Sequence, residues 1–436
     1  MSKFILTRYL YIFDEVAISF ISSLLKKQSL HECYYWISEL YYSGFESQTW
    51  DLLWFIYYDF YYLTNANFHL FIRKKYDLHD FRNMMTVVKN MFRMTPNSNV
   101  FITRQYYVHV NNIGHIFRGK KPAWLLNYPS KYHALFRYID KKMYHYAVTS
   151  MPDKIEDDLF DAIQLYFKVN DKEIESLKNM LHDCRYSYAN HVHIAWAMIC
   201  LLLFPENRST NNNSNMVKKS TIYIACSDSE YNEMVGIHKD PIPLDNLNNP
   251  QVYKTLEIKR KYAINPKCIG FELMREVFQC YDGGNDGDND GDNDGGNASE
   301  VKEVDEGYEL QIDEEWATDS DGDGDGGIDT MQNIIWYHWE FYAYQCPMWK
   351  ERFDKYSITV DIDNHKIIFH DDDELESFYS QFGYYPDEVS IDTLNKGLKL
   401  DIPIDSSDCG GWSHWYNDIF TDKSIFEFDT NFKFKY

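Results

Sequence analysis

Residues 30–65 read LHECYYWISELYYSGFESQTWDLLWFIYYDFYYLTN, and this stretch decides the fold. Leu30, Cys33, Tyr34, Ile37, Leu40 and Tyr41 recur at three- and four-residue steps. That spacing gathers them on one face of an α-helix. Gly44 follows, where a left-handed residue would stop the helix. Trp50, Leu53, Trp54, Tyr57 and Tyr61 form a second apolar face, and Asn65 ends it. The pattern predicts two antiparallel helices joined by a short turn.

Further helical periodicity runs through residues 79–94, 131–148, 155–168, 171–184 and 188–204, with Pro96, Pro122 and Pro129 breaking the middle into loops. Residues 1–25 also read as an amphipathic helix, in which Asp14 and Glu15 interrupt what a signal peptide would keep apolar. The segment 1–205 is therefore expected to be a helical domain. A polar linker is expected at 206–218, rich in Asn, and a mixed segment at 219–280. Within the latter, 221–226 suits a strand, 253–262 a strand or helix, and 271–280 a short helix. Residues 281–330 hold 19 Asp or Glu against one Lys, with Asp, Asn and Gly repeated. Residues 282–297, almost wholly Asp, Asn and Gly, have no apolar group to offset the entropy of ordering their backbone, and with the acidic run that follows the whole is expected to be a disordered acidic insert.

A C-terminal α+β segment is expected at 331–436. Residues 357–362 and 366–370 alternate like strands around Asp363, Asn364 and His365, a hairpin signal. Asp371 to Asp373 suit the cap of a helix through 374–382, and the tail 424–436 alternates like an edge strand. The fold class is thus α+β, a helical N-terminal domain followed by a smaller mixed region that the insert interrupts.

The formal net charge of −24 conceals an asymmetry. Residues 72–147 carry 14 Lys or Arg against three Asp, a net of +11. Arg118, Lys120, Lys121, Lys131, Arg137, Lys141 and Lys142 are the candidate polyanion-binding residues, with Trp124, Tyr128, Tyr132 and Tyr138 between them. Cations contact phosphates and exposed rings stack on unpaired bases. The plainer reading is a helical domain with a solvated basic face and a ring-built core. The acidic insert is a third partner for the same face.

Asp321, Asp323, Asp325 and Asp329, with Gly326, fall on the spacing of a calcium loop, and Ca²⁺ is the only cofactor the sequence offers. Position 12 of that loop is Gln332 rather than a bidentate Glu, which favours a solvated linker. Asp361, Asp363 and His370 are candidates for a divalent-metal enzyme site, and paired His191 and His193 point to different faces of a helix. No phosphate-binding loop, nucleophile elbow or Cys-x-x-Cys pair is present. The eight cysteines are irregularly spaced, as reduced buried thiols of an intracellular, cytosolic protein would be. The longest apolar run, Val192 to Phe204, is too short to span a bilayer, so no membrane segment is expected.

The Tyr-Tyr-Trp, Glu-Leu-Tyr-Tyr-Ser-Gly-Phe and Tyr-Tyr-Asp-Phe-Tyr-Tyr runs between Cys33 and Asn65 resemble uncharacterised proteins of large, mimivirus-like DNA viruses. The resemblance covers one helix pair and carries no catalytic residue. It implies a viral product of the host cytoplasm, packaged in the virion. Three functions follow from the sequence as expectations. The first is a non-enzymatic binding or structural protein whose basic helical face engages nucleic acid or another polyanion. The alternatives are a protein–protein scaffold or virion component, and a divalent-metal-dependent enzyme.

Overall fold

The computed structural model describes residues 5–27, 29–109, 120–152, 154–183, 191–204, 223–238, 338–382, 415–416 and 419–420. The linker at 206–218, the acidic insert at 281–330, the elements expected at 253–262 and 271–280, and the tail at 424–436 lie outside the described residues.

The described chain is α+β, mostly helical with one small antiparallel hairpin near the C-terminus. Helices α1 (Phe13–Lys26), α2 (Leu30–Tyr42) and α3 (Glu46–Ile56) open it, and α3 continues into a π-helical turn, Tyr57–Tyr61. Then come α4 (Phe68–Tyr76), α5 (Phe81–Arg93) and α6 (Asn99–His109). Two 3₁₀ turns, Ala123–Asn127 and Ser130–Tyr132, lead into α7 (His133–Asp140) and α8 (Tyr144–Thr149). Next are α9 (Asp157–Phe167), α10 (Asp171–Asp183), α11 (His191–Leu203) and α12 (Asp228–Ile237). Helix α13 (Pro347–Phe353), strands β1 (Ile358–Asp361) and β2 (Lys366–Phe369), and α14 (Asp372–Phe382) complete the order.

The predicted helix pair is present as α2 and α3. Ser29 caps α2 by accepting from the Glu32 N–H at 3.2 Å. Gly44 makes the turn at φ +89°, and a Cβ there would meet Pro347 Cβ at 2.8 Å. The glycine is thus required twice, for its left-handed backbone and for the approach of α13. Helices α1, α2, α3 and α5 pack together, and α6 lies against the π-turn and α11. Trp36, Trp50, Trp196, Trp349 and Trp415 are fully buried among them. The predicted C-terminal hairpin is present and pairs Ile358 with Phe369 and Asp361 with Lys366, so that Ile362 joins Asp363–His365 in the turn. Asp371 accepts from the Asp373 N–H at 2.9 Å at the start of α14.

Three local expectations are corrected. Residues 1–25 are not one helix, because α1 begins at Phe13. Ahead of it the chain folds back through Leu10 at φ 59°, and Leu6 bridges Ile12. This tight hairpin turns two main-chain donors inward, so that the Arg8 N–H donates to Ser43 Oγ and the Tyr9 N–H to Glu39 Oε1, each at 2.8 Å. Residues 131–148 divide into α7 and α8 at Lys142, whose φ is 56°. Residues 223–226 join no sheet among the described residues. Their main chain bonds to α5 side chains instead: the Asn90 amide donates to the Ile224 carbonyl at 2.9 Å and accepts its N–H at 3.0 Å. The Cys226 N–H donates to Thr86 Oγ1, also at 3.0 Å.

Candidate functional site

The basic segment separates into three environments. Arg104 is buried, and its guanidinium grips Asp59, with Nη2 at 2.6 Å from Oδ2 and Nε at 3.1 Å from Oδ1. Arg82 and Lys89 on α5 pair with Asp228 and Glu230 on α12 at 2.7 and 2.8 Å. Lys131 bridges Glu156 and Asp158 at the start of α9, the latter at 2.8 Å. Lys120, Lys121, Lys141 and Lys142 are exposed and have no acidic partner among the described residues. The first two precede the 3₁₀ turn Ala123–Asn127 and the last two follow α7, and that turn packs on α7. Arg137 is half-buried on α7, and Arg118 lies outside the described residues.

The rings between these cations serve the core. Tyr132 is fully buried and donates its hydroxyl to Asp158 at 2.5 Å. Tyr138 is buried and stacks on Tyr146 with centroids 5.3 Å apart. Tyr128 packs on Phe136 at 4.9 Å and Trp124 meets Tyr166 at 5.9 Å, so each ring is engaged within the layer. Leu126 stands out from the same turn at 72% exposure, and Leu165 is 53% exposed on α9, whose Tyr166 meets Trp124 of that turn.

The calcium-loop candidates Asp321, Asp323, Asp325 and Asp329 lie outside the described residues. Of the enzyme candidates, Asp361 is spent on the hairpin turn, accepting from the Asn364 N–H at 3.0 Å and its side-chain amide at 2.8 Å. Those bonds hold its carboxyl below the usual range. His370 bonds through its ring nitrogens to Ser357 Oγ at 3.0 Å and Thr359 Oγ1 at 2.6 Å. Among the described residues, no three His, Cys, Asp or Glu side chains converge as metal ligands do.

Two buried polar clusters were not foreseen. The first joins three elements: Asp59 on the π-turn, Arg104 on α6 and His193 on α11, whose Nε2 lies 2.7 Å from Asp59 Oδ1. Burial raises the Asp59 pKa, but the Arg104 and His193 contacts outweigh it and hold the carboxyl below its ordinary value. Burial also holds His193 below its ordinary value, against the pull of Asp59. With Asp59 ionised and His193 neutral, Nε2 must carry the proton and donate it. Phe55 covers the group, 4.4 Å from the Arg104 guanidinium carbon and 5.1 Å from the His193 ring. The arrangement is a charge clamp that ties the π-turn to two helices, with both carboxylate oxygens already accepting.

The second cluster sets Glu39 of α2 against His238, the residue that ends α12, with 3.8 Å between Oε2 and Nε2 and both side chains wholly buried. Tyr9, Tyr35 and Tyr42 box the imidazole edge-on at 5.3, 5.6 and 5.1 Å. Burial pushes the Glu39 carboxyl up to about 7, against the Thr7 hydroxyl, the Tyr9 N–H and the Arg8 charge. Burial, with Arg8 nearby, sends His238 well below its ordinary 6.5. Sequence carried half of this signal. Asp59 is a lone carboxylate in a run of rings, and Glu39 stands at helical spacing from Tyr35, Trp36 and Tyr42. Each demands a partner, but the partner's identity is not local.

No protein family, curated protein or solved structure matches the chain. No helix among the described residues is long and apolar enough to cross a membrane.

Proposed function

We propose that this is a non-enzymatic binding or structural protein whose cationic surface, Lys120, Lys121, Lys141 and Lys142, engages a polyanion such as single-stranded nucleic acid. The observation that carries this reading is the exposure of two Lys-Lys pairs bracketing one helical layer, without acidic partners among the described residues, while Arg82, Lys89, Arg104 and Lys131 are committed to carboxylates. Ammonium groups left in water gain from phosphate by releasing its counterions. Because Tyr132 and Tyr138 are buried, this binding rests on charge more than on base stacking. Salt-sensitive retention on single-stranded DNA, lost when the four lysines are changed to Glu, is the expected result. Retention that ignores salt, or that survives the four reversals, refutes it.

A second reading rests on Leu126 and Leu165, whose exposure on neighbouring elements suits a protein contact in a scaffold or virion. A stable oligomer at low concentration that dissociates on Leu126→Lys, and is indifferent to the lysine reversals, favours this reading over the first.

A further inference from the structure

Helix α12 and the extended residues before it lie across α5 and reach α2, yet of α12 only Met234 is fully buried. Tyr223 packs on Phe71 at 4.1 Å and Cys226 and His238 are buried at either end, but most of what holds the segment between them is polar. Asn90 takes both main-chain groups of Ile224. Lys89 holds Glu230 through both carboxylate oxygens, at 2.8 and 2.9 Å, and reaches the Ala225 carbonyl at 3.3 Å. Arg82 pairs with Asp228 and lies 4.4 Å from the Tyr231 ring centroid. His31 lies 3.1 Å from Glu233. At its end the Tyr9 hydroxyl donates to the Ile237 carbonyl, and His238 enters the ring box. The segment is therefore acidic where it meets Arg82 and Lys89 of α5, two of the cations of the basic segment, beside its neutral contacts to Asn90 and Thr86. Glu230 also completes a capping box with Ser227, so the residue that shapes the helix is the one that neutralises Lys89.

We propose that residues 223–238 form an acidic clasp over α5, and that Arg82 and Lys89 become available to a polyanion only when the clasp lifts. Charge complementarity is the argument. The side chains of Arg82 and Asp228 are 40% and 81% exposed, so their pairing is the kind that salt weakens. The little apolar area buried by α12 places the clasp at the low end of local stability, where segments open without global unfolding. A polyanion offers the same two cations several phosphates in place of two carboxylates. The inference rests on the polyanion reading above and adds its regulation, a cis competitor that sets how many cations are on offer.

The test is Asp228→Asn combined with Glu230→Gln in the full chain, with oligo-dT as the probe. Hydrogen exchange should show protection lost across 228–238 and retained in α1, α2 and α6. Two more cations on a single strand steepen the log–log salt dependence of binding by about 1.4, which is about 25-fold tighter binding at ~0.1 M salt if the curves meet near ~1 M. Adding Arg82→Gln and Lys89→Gln should return the slope to that of the native chain. In the unaltered protein, raising salt from about 0.05 to about 0.5 M should speed exchange in 228–238 before any other helix. Protection unchanged by the double substitution and by salt overturns the clasp. Protection lost with an unchanged slope overturns the masking, while retention still abolished by reversing the four lysines leaves the polyanion reading standing. If neither form retains oligo-dT, both ideas fall.

Discussion

Replacing Glu39 by Gln should stabilise the protein at alkaline pH and leave it unchanged at acid pH. The amide oxygen can still accept from the Tyr9 N–H, now bonded at 2.8 Å, and the volume is kept. What is lost is a buried carboxyl whose pKa stands at about 7 in the fold against 4.5 in the open chain. The fold binds this proton more tightly than the unfolded chain does. The stability it contributes is therefore fully present below 4.5 and falls as pH rises through 7. The displacement is worth about 3 kcal/mol at ~1.4 kcal/mol per pH unit. His238 works in the opposite sense, because burial disfavours its cation. Its contribution is present above 6.5 and is lost as pH falls. As pH falls below 6.5 the unfolded chain takes up a proton on His238, while the fold keeps its proton on Glu39. The two slopes oppose one another there and cancel in part.

Glu39→Gln breaks that cancellation. Urea unfolding of the native and Gln chains across about pH 4 to 8 should give a stability difference near zero at the acid end, growing to about 3 kcal/mol in favour of Gln at the alkaline end. The reciprocal change, His238→Asn, should leave a profile that falls with pH over the same window. A Glu39→Gln difference that is constant with pH, or that grows toward acid, refutes the assignment of the burial cost to Glu39.

Gly44→Ala should lower the melting temperature, since the added Cβ meets Pro347 Cβ at 2.8 Å and the backbone is at φ +89°. A cost of at least ~1 kcal/mol is expected by calorimetry, and a neutral result would mean that α13 does not seat against this turn. Arg104→Met should cost about 3–5 kcal/mol in denaturant unfolding by leaving the Asp59 carboxylate with His193 alone, and Asp59→Asn in the same chain should recover part of it. Cys33 and Cys346, each pushed up to about 12 by burial, should resist maleimide at neutral pH until the chain is denatured, as peptide mapping would show.

The elements legible in the sequence are those whose signal is local. The α2–α3 pair follows from apolar spacing within thirteen and eleven residues and from one glycine. The hairpin follows from alternation on either side of a three-residue polar turn. Where reading failed, a distant contact outweighed a local preference. Residues 5–12 could have extended α1, but Glu39 and Ser43 take their main-chain donors. Residues 223–226 have strand composition, but Asn90, 134 positions away, supplies the bonds a neighbouring strand would have given. The π-turn at Tyr57–Tyr61 left no mark in composition. It places Asp59 between α6 and α11, and only the tertiary demand of a buried carboxylate explains it. For the same reason charge counting overstated the basic face, since the sequence cannot show that Lys89 meets Glu230 across 141 positions.

That last point turns the charge asymmetry into a measurable quantity. A single strand that engaged all 14 cations of residues 72–147 would give a salt slope of about −10, at ~0.7 per phosphate neutralised. Arg104 is buried, Lys131 is held by α9, and Arg82 and Lys89 lie under the clasp; a strand that engages only Lys120, Lys121, Lys141 and Lys142 among the remaining cations gives about −3. Lifting the clasp adds two cations, Arg82 and Lys89, and moves the slope to about −4. Titration of oligo-dT binding against salt therefore counts cations that sequence alone lumps together. A native slope near −10 is incompatible with Arg104 spent in the core and α5 covered by α12, and would refute both assignments at once. A slope near −3 that vanishes with Lys120, Lys121, Lys141 and Lys142 is what the partition of charge requires.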